Sequence, residues 1–225
     1  ELAKYTAGSI YTPPSTIGTV TMPGSIGGVG WGGGAFDPET NRLYVKASNS
    51  PSLWRLVQQA GTSDTVDDTY MADLRNSSLG VRLSEGPEGT DRDTSVRPLP
   101  LNKPPYGTLT AIDLNSGERK WQVPIGDTPD VREHPALAGV ELAPSLGVSG
   151  APGGVVTRGG LVFITGGGST LYAIDTKDGR VRWQADLGQR GYANPMTYRT
   201  KAGKQFVVIA TGVGAGAKLQ AFALP

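Results

Sequence analysis

One pattern, A-I-D-x-x-x-G-x-x-x-W-x-x-x-x-G, occurs twice in the chain and restricts the possible folds more than any other feature. The first copy places Ala111, Ile112, Asp113, Gly117, Trp121 and Gly126, the second Ala173, Ile174, Asp175, Gly179, Trp183 and Gly188. The chemistry is that of a hairpin. Asp caps the turn through local side-chain hydrogen bonds, Gly takes the positive φ, and Trp falls at a fixed point on the return strand. A Trp repeated at that point can pack between neighbouring sheets and lock their register. A shortened third copy, Leu219-Gln220-Ala221-Phe222-Ala223, matches Leu109–Asp113 and Leu171–Asp175 and stops before its return strand.

Around these hairpins the apolar stretches are short, β-branched or aromatic, and bounded by Gly, Pro, Asn or Asp, as strands are. Only 52–60 and 70–74 carry helical periodicity, so the expected class is all-β. Each Trp hairpin follows an earlier one, which completes a four-stranded unit. Segments 155–157, 161–165, 171–175 and 181–185 read as strands A to D, and 196–199, 205–210 and 218–223 as A to C of the next unit. An earlier unit has A at 33–37 and B at 43–47, then C at 108–113 and D at 119–123 beyond a long excursion. Repeated four-stranded units, each with a Trp, are the blades of a β-propeller. The expected division is 1–30 as the end of a preceding blade and its connection, 31–123 as a blade with an insertion at 48–106, 153–186 as a blade, and 194–225 as an incomplete last blade. All of it belongs to a single propeller domain. The insertion, as a B–C loop, and 124–152, as a D–A loop, fall on the same face of a propeller, which points to a binding mouth there.

Composition removes several function classes. Lys and Arg number 21 against 20 Asp and Glu, so no basic face exists to release counterions from a nucleic acid. The absence of Cys removes disulfides, thiolate metal sites, iron–sulfur clusters and cysteine nucleophiles together. The start, Glu1-Leu2-Ala3-Lys4, lacks a signal peptide's apolar stretch, and the chain as given reads as soluble, a targeting segment being removable by processing. Gly28-x-Gly30-x-x-Gly33 and 212–216 spell dinucleotide-like glycine patterns, but neither is followed by room for a helix to hold a pyrophosphate.

The run Gly27-Gly28-Val29-Gly30-Trp31-Gly32-Gly33-Gly34-Ala35-Phe36-Asp37-Pro38 resembles the G-G-x-N-W-G-G-x-A-x-D-P motif of the quinoprotein dehydrogenases. These are eight-bladed propellers that bind pyrroloquinoline quinone (PQQ), and the two Trp hairpins match their docking motif. The resemblance is to the C-terminal part of the family and covers essentially the whole chain. Its sugar and polyol branch, typified by membrane-bound glucose dehydrogenase, shares Pro104-Pro105-Tyr106-Gly107-Thr108, Trp121-Gln122-Val123-Pro124, Pro195-Met196-Thr197-Tyr198 and Ala221-Phe222-Ala223-Leu224-Pro225. The resemblance implies hydride transfer from a sugar, polyol or other alcohol to PQQ, with electrons passing to ubiquinone, a cytochrome or another acceptor in the periplasm, in association with the membrane through other parts. It further implies a calcium ion. The catalytic base, the calcium ligands and the Lys or Arg that polarises the quinone are expected upstream of residue 1, so this chain alone is expected to lack turnover. The missing blades would come from the same precursor or a partner chain. Two departures stand out. Gly30 replaces the family's Asn beside the quinone, and Thr211-Gly212-Val213-Gly214 stands where glucose enzymes have Gly-Gly-His-Gly, which argues against glucose itself. The rival reading is a PQQ-free propeller acting as a protein-binding scaffold.

Among individual residues, Trp121 and Trp183 are expected to be structural docking groups. Trp31 reads from position alone as either a cofactor contact or core packing, and the resemblance selects contact, with Gly30 beside it. His134, the only His, reads as a solvated loop residue or a hydrogen-bonder to substrate. Trp54 either covers the mouth or anchors the insertion. The acidic runs 64–68 and 91–93 lack EF-hand spacing and read as exposed loop carboxylates rather than a cation site.

Overall fold

A computed structural model describes residues 2–9, 11–24, 27–58, 70–72, 80–81 and 99–223. The acidic runs 64–68 and 91–93 lie outside the described residues. The chain divides into two compact units, one made of 1–25, 50–103 and 130–140, the other of 26–49, 104–129 and 141–225.

The larger unit is built from three antiparallel sheets. In the first, strand A (Gly28–Asp37), B (Arg42–Ser48), C (Gly107–Asp113) and D (Arg119–Pro124) are hydrogen-bonded in that order, with the whole insertion placed between B and C. In the second, A (Val155–Thr157), B (Leu161–Ile164), C (Thr170–Asp175) and D (Val181–Asp186) follow one another without interruption. The third has A (Met196–Arg199), B (Gln205–Thr211) and C (Lys218–Ala223). The all-β reading and the four-stranded blades are what the structure contains.

Both C–D hairpins close by the same local chemistry. In the first sheet Asp113 Oδ1 accepts from the Asn115 N–H at 2.9 Å and its carbonyl from the Gly117 N–H at 2.7 Å, with Gly117 at φ +74°. In the second, Asp175 does the same with Lys177 (2.8 Å) and Gly179 (3.0 Å, φ +73°). Each ladder slips one residue just after Ala111 or Ala173, and these alanines lie opposite Trp121 and Trp183. Two turns so alike follow from two sequences alike in their capping Asp and their left-handed Gly.

The core lies between successive sheets, because each strand sends alternate side chains to opposite faces. Ala35, Tyr44, Leu109 and Ala111 of the first sheet and Ile125 beyond its D strand pack with Val162, Ile164 and Ile174 of the second, with Trp121 and Val123 against them. Leu171 of the second sheet and Leu187 after it pack with Val207 and Ile209 of the third, joined by Phe163 and Phe222. Trp121 sets the register of the first pair. Its indole N–H donates to the Thr176 carbonyl at 3.0 Å, its ring lies 5.8 Å from Tyr44, and a Cβ on Gly179 would come within 2.9 Å of the indole. Trp183 meets Phe222 edge-on at 5.3 Å.

The smaller unit holds short pairings. Thr6–Ala7 runs parallel to Thr19–Thr21, which pairs antiparallel with Ser52–Trp54. Leu56–Gln58 pairs with Tyr70–Ala72, and Gly80–Val81 with Leu99–Pro100. These pairings correct the helical expectation for 52–58 and 70–72; the rest of the two segments, 59–60 and 73–74, lies outside the described residues. Leu53 and Leu56 are spaced as on a helix, yet their backbone groups are taken by neighbouring segments, and tertiary pairing overrides so short a periodic signal. Among the described residues no helix is long and apolar enough to cross a membrane.

Candidate functional site

The longest irregularity in the larger unit surrounds Trp31. Strand A begins at Gly28, five residues before the start expected at position 33, because the pairing with strand B is broken in the middle. Gly28 faces Ser48 and Val29 faces Ala47, and the ladder resumes only with Gly34 opposite Val45. Residues 30–33 therefore lie opposite Lys46 alone. A bulge of this kind bends the strand and re-aims its side chains. It needs glycine at position 33, which sits at φ +72°. From it the Trp31 side chain projects 93% exposed.

The backbone on both sides of Trp31 is held. A Cβ on Gly30 would lie 2.8 Å from the Ala151 Cβ, and one on Gly32 would lie 2.3 Å from the Ala151 carbonyl oxygen. The bulge thus rests directly on the segment entering the second sheet, with no room for a side chain. Asn194, from the segment entering the third sheet, donates from Nδ2 to the Gly32 carbonyl at 2.9 Å and accepts at Oδ1 from the Gly153 N–H at 2.7 Å.

Opposite the bulge lies a buried cation. Lys46 is 3% exposed and donates from Nζ to Ser48 Oγ at 2.8 Å and to the Gly150 carbonyl. Ser48 Oγ also donates to that carbonyl at 2.8 Å and accepts from the Gly150 N–H at 3.0 Å. Burial lowers the Lys46 ammonium from 10.5 to about 8, and among the described residues it forms no ion pair.

The remaining residues singled out in the sequence are distributed as follows. Gly30 contributes backbone alone, which gives a physical reason for the absence of a side chain there. His134 is not the solvated loop residue expected. It is 8% exposed, and its Nδ1 accepts from the Ala136 N–H at 3.1 Å to cap the turn Pro135–Leu137. Trp54 ends the strand Ser52–Trp54 opposite Thr19. His134 and Trp54 belong to the smaller unit, while Gly30, Trp31, Trp121 and Trp183 belong to the larger. Among the described residues no group of three His, Asp or Glu is placed to hold a metal ion.

Sequence reasoning missed Lys46, Ser48 and Asn194. For the first two a signal existed. Tyr44, Lys46 and Ser48 are the inward positions of a strand whose alternation is plain, and a Lys on the buried face of a strand is unusual. Asn194 carried no such mark, since its partners are 41 and 162 residues away.

Comparison with known proteins bears on this arrangement. Residues 1–207 match the family model described as PQQ, glucose/ethanol/alcohol dehydrogenase, beta-propeller domain. The chain is 32% identical over 208 residues to a quinate/shikimate dehydrogenase (quinone) from Acinetobacter baylyi, covering 90% of this chain and 25% of the relative. It is 30% identical over 207 residues to the quinoprotein glucose dehydrogenase of Escherichia coli, covering 90% and 26%. The crystal structure of a quinohemoprotein alcohol dehydrogenase from Comamonas testosteroni superposes with a TM-score of 0.54 at 21% identity, over 91% of this chain and 27% of that one, and shares the fold. The chain thus spans about a quarter of the length of the relatives it matches.

Proposed function

Because the chain belongs to the PQQ-dependent glucose/ethanol/alcohol dehydrogenase β-propeller family, we propose that it supplies consecutive blades of a quinoprotein dehydrogenase oxidising a sugar, polyol or other alcohol. Electrons would pass to ubiquinone or another acceptor, in the periplasm. The observation that carries this reading to particular residues is the Trp31 bulge. A Trp left 93% exposed on a strand whose backbone is clamped on either side is poorly explained as packing, since large apolar side chains normally gain by burial. It is well explained as a rigid aromatic face for a flat ligand.

The residues present fit the cofactor. A planar tricyclic quinone can stack on an indole already held in place, and the site offers no side chain at position 30 to obstruct it. When bound, the cofactor would supply the hydride acceptor for alcohol oxidation, which amino-acid side chains do not. Trp31 would orient the ring system and exclude water from one face. Calcium and the general base are assigned to blades outside this chain, as is the strand that would complete the third sheet, whose outer edge at Lys218–Ala223 is unpaired among the described residues.

Fluorescence titration of the intact protein with PQQ in the presence of calcium tests this reading. Saturable quenching is expected in the wild type, with a large part of it lost in Trp31→Ala. No quenching in the wild type would leave the scaffold reading standing in its place. Turnover is expected only from the full propeller. If residues 1–225 alone with PQQ and calcium reduced a dye at the expense of an alcohol, the placement of the base elsewhere would be wrong.

A further inference from the structure

We infer that Asn194 is a positioning residue for Trp31, so that entry of the chain into the third blade determines how the first blade presents its exposed indole. The inference rests on the reading of Trp31 as a ligand contact, and it follows from how few ways exist to hold the bulge. Residues 30–33 have left the ladder with strand B, so their backbone groups need other partners or water. Where Gly32 and Gly153 meet, neither position has room for a side chain. A Cβ on Gly32 would lie 2.5 Å from the Gly153 nitrogen, and one on Gly153 would lie 2.2 Å from the Gly32 oxygen.

The Asn194 carboxamide answers both needs at once. Its donor takes the Gly32 carbonyl and its acceptor takes the Gly153 N–H. Because one partner only accepts and the other only donates, the orientation of the amide is unambiguous. Pro195 follows directly and restricts the backbone of Asn194 to extended conformations, so the clamp projects from a stiff base. Gly32 is bonded to Trp31. A carbonyl fixed there fixes the Gly32–Gly33 peptide plane, one residue beyond Trp31, while Gly30 against Ala151 restrains the chain before it. Asn194 bonds backbone groups, the Gly32 carbonyl and the Gly153 N–H, so its effect on a ligand would pass through the bulge that carries Trp31.

The test uses 5-fluorotryptophan incorporated into the intact protein and read by 19F NMR, the Trp31 and Trp121 lines being identified by their loss in Trp31→Phe and Trp121→Phe. In Asn194→Ala the Trp31 line is expected to shift or split while the Trp121 line stays within its wild-type width. Asn194→Asp is nearly isosteric and keeps an acceptor for the Gly153 N–H, but sets a carboxylate oxygen against the Gly32 carbonyl. It is expected to move the same line. A Trp31 line unchanged in both variants overturns the inference. Lines of Trp31 and Trp121 moving together also overturn it, by showing that Asn194 serves the packing of the sheets in general. Adding PQQ to the wild type separates the two claims. A Trp31 line that ignores PQQ counts against the cofactor contact and leaves the placement of Trp31 by Asn194 intact.

Discussion

Lys46 shows how much a single side chain can weigh against the fold it sits in. Its ammonium has two hydrogen-bond acceptors and no carboxylate among the described residues, so burial is only partly offset. The folded state holds its proton less tightly than the unfolded chain does, with about 8 against 10.5. The sign follows from linkage. Below about pH 8 the group is charged in both states and the full penalty of burial applies. Between 8 and 10.5 the unfolded chain binds more protons than the folded one, so stability rises with pH. At about 1.4 kcal/mol per pH unit, this single group is worth roughly 3 kcal/mol across that window. Lys46→Met removes the charge and leaves Ser48 bonded to Gly150 through both of its contacts. Urea unfolding at pH 7, 9 and 10 should find the Met variant more stable at pH 7 and the gap to wild type closing as pH rises. A gap independent of pH would show that the ammonium is not buried in the folded protein.

The two C–D hairpins are matched elements with different surroundings, which makes them a controlled comparison. Gly117 and Gly179 share φ near +74° and +73° and the same capping Asp chemistry. A Cβ at 117 meets no described atom within 4 Å, whereas one at 179 comes within 2.9 Å of both Trp121 and Val123. Gly117→Ala should therefore cost only the left-handed backbone strain, about 1–2 kcal/mol. Gly179→Ala should cost a further ~1–3 kcal/mol of overpacking against a ring held by its hydrogen bond to Thr176. Chemical denaturation of the two variants side by side measures the difference, and equal costs would mean that Trp121 does not rest on that turn. These hairpins were legible in the sequence because everything that makes them is local: an Asp, a Gly four residues on, and a Trp four beyond that. The strand order A to D followed from the same local units, even across the insertion. What sequence could not show was the bulge at 30–33, whose cause is the close approach of residues 151–153, or the clamp from Asn194. Both depend on how separate sheets meet. The solvated reading of His134 failed because its burial comes from its surroundings rather than from the loop composition around it.

At the scale of the whole molecule, the two cores lie between sheets rather than within them, so each blade is stabilised by its neighbours. Such an array exposes unfinished surfaces at its ends. One is the C strand of the third sheet, bonded on one side only among the described residues. Trp183 belongs to the same end, for it is 40% exposed and among the described residues has only Phe222 as a ring partner, whereas Trp121 has a complete neighbouring C–D turn. The other is the C–D turn of the first sheet. If a further blade precedes it in the ring, a Trp from that blade should rest on Gly117 as Trp121 rests on Gly179. The comparison can then be carried to the full-length parent. In residues 1–225 alone, Gly117→Ala is expected to be the milder of the two substitutions. In a parent chain carrying the flanking blades, its cost should rise to match that of Gly179→Ala, because the same indole-on-glycine contact is overpacked at both places. Urea midpoints of the variants in both backgrounds read the change directly. A cost that stays the same in the parent would mean that no Trp docks on this turn, and that the first sheet is not preceded in the ring by a blade packed on it as the first packs on the second.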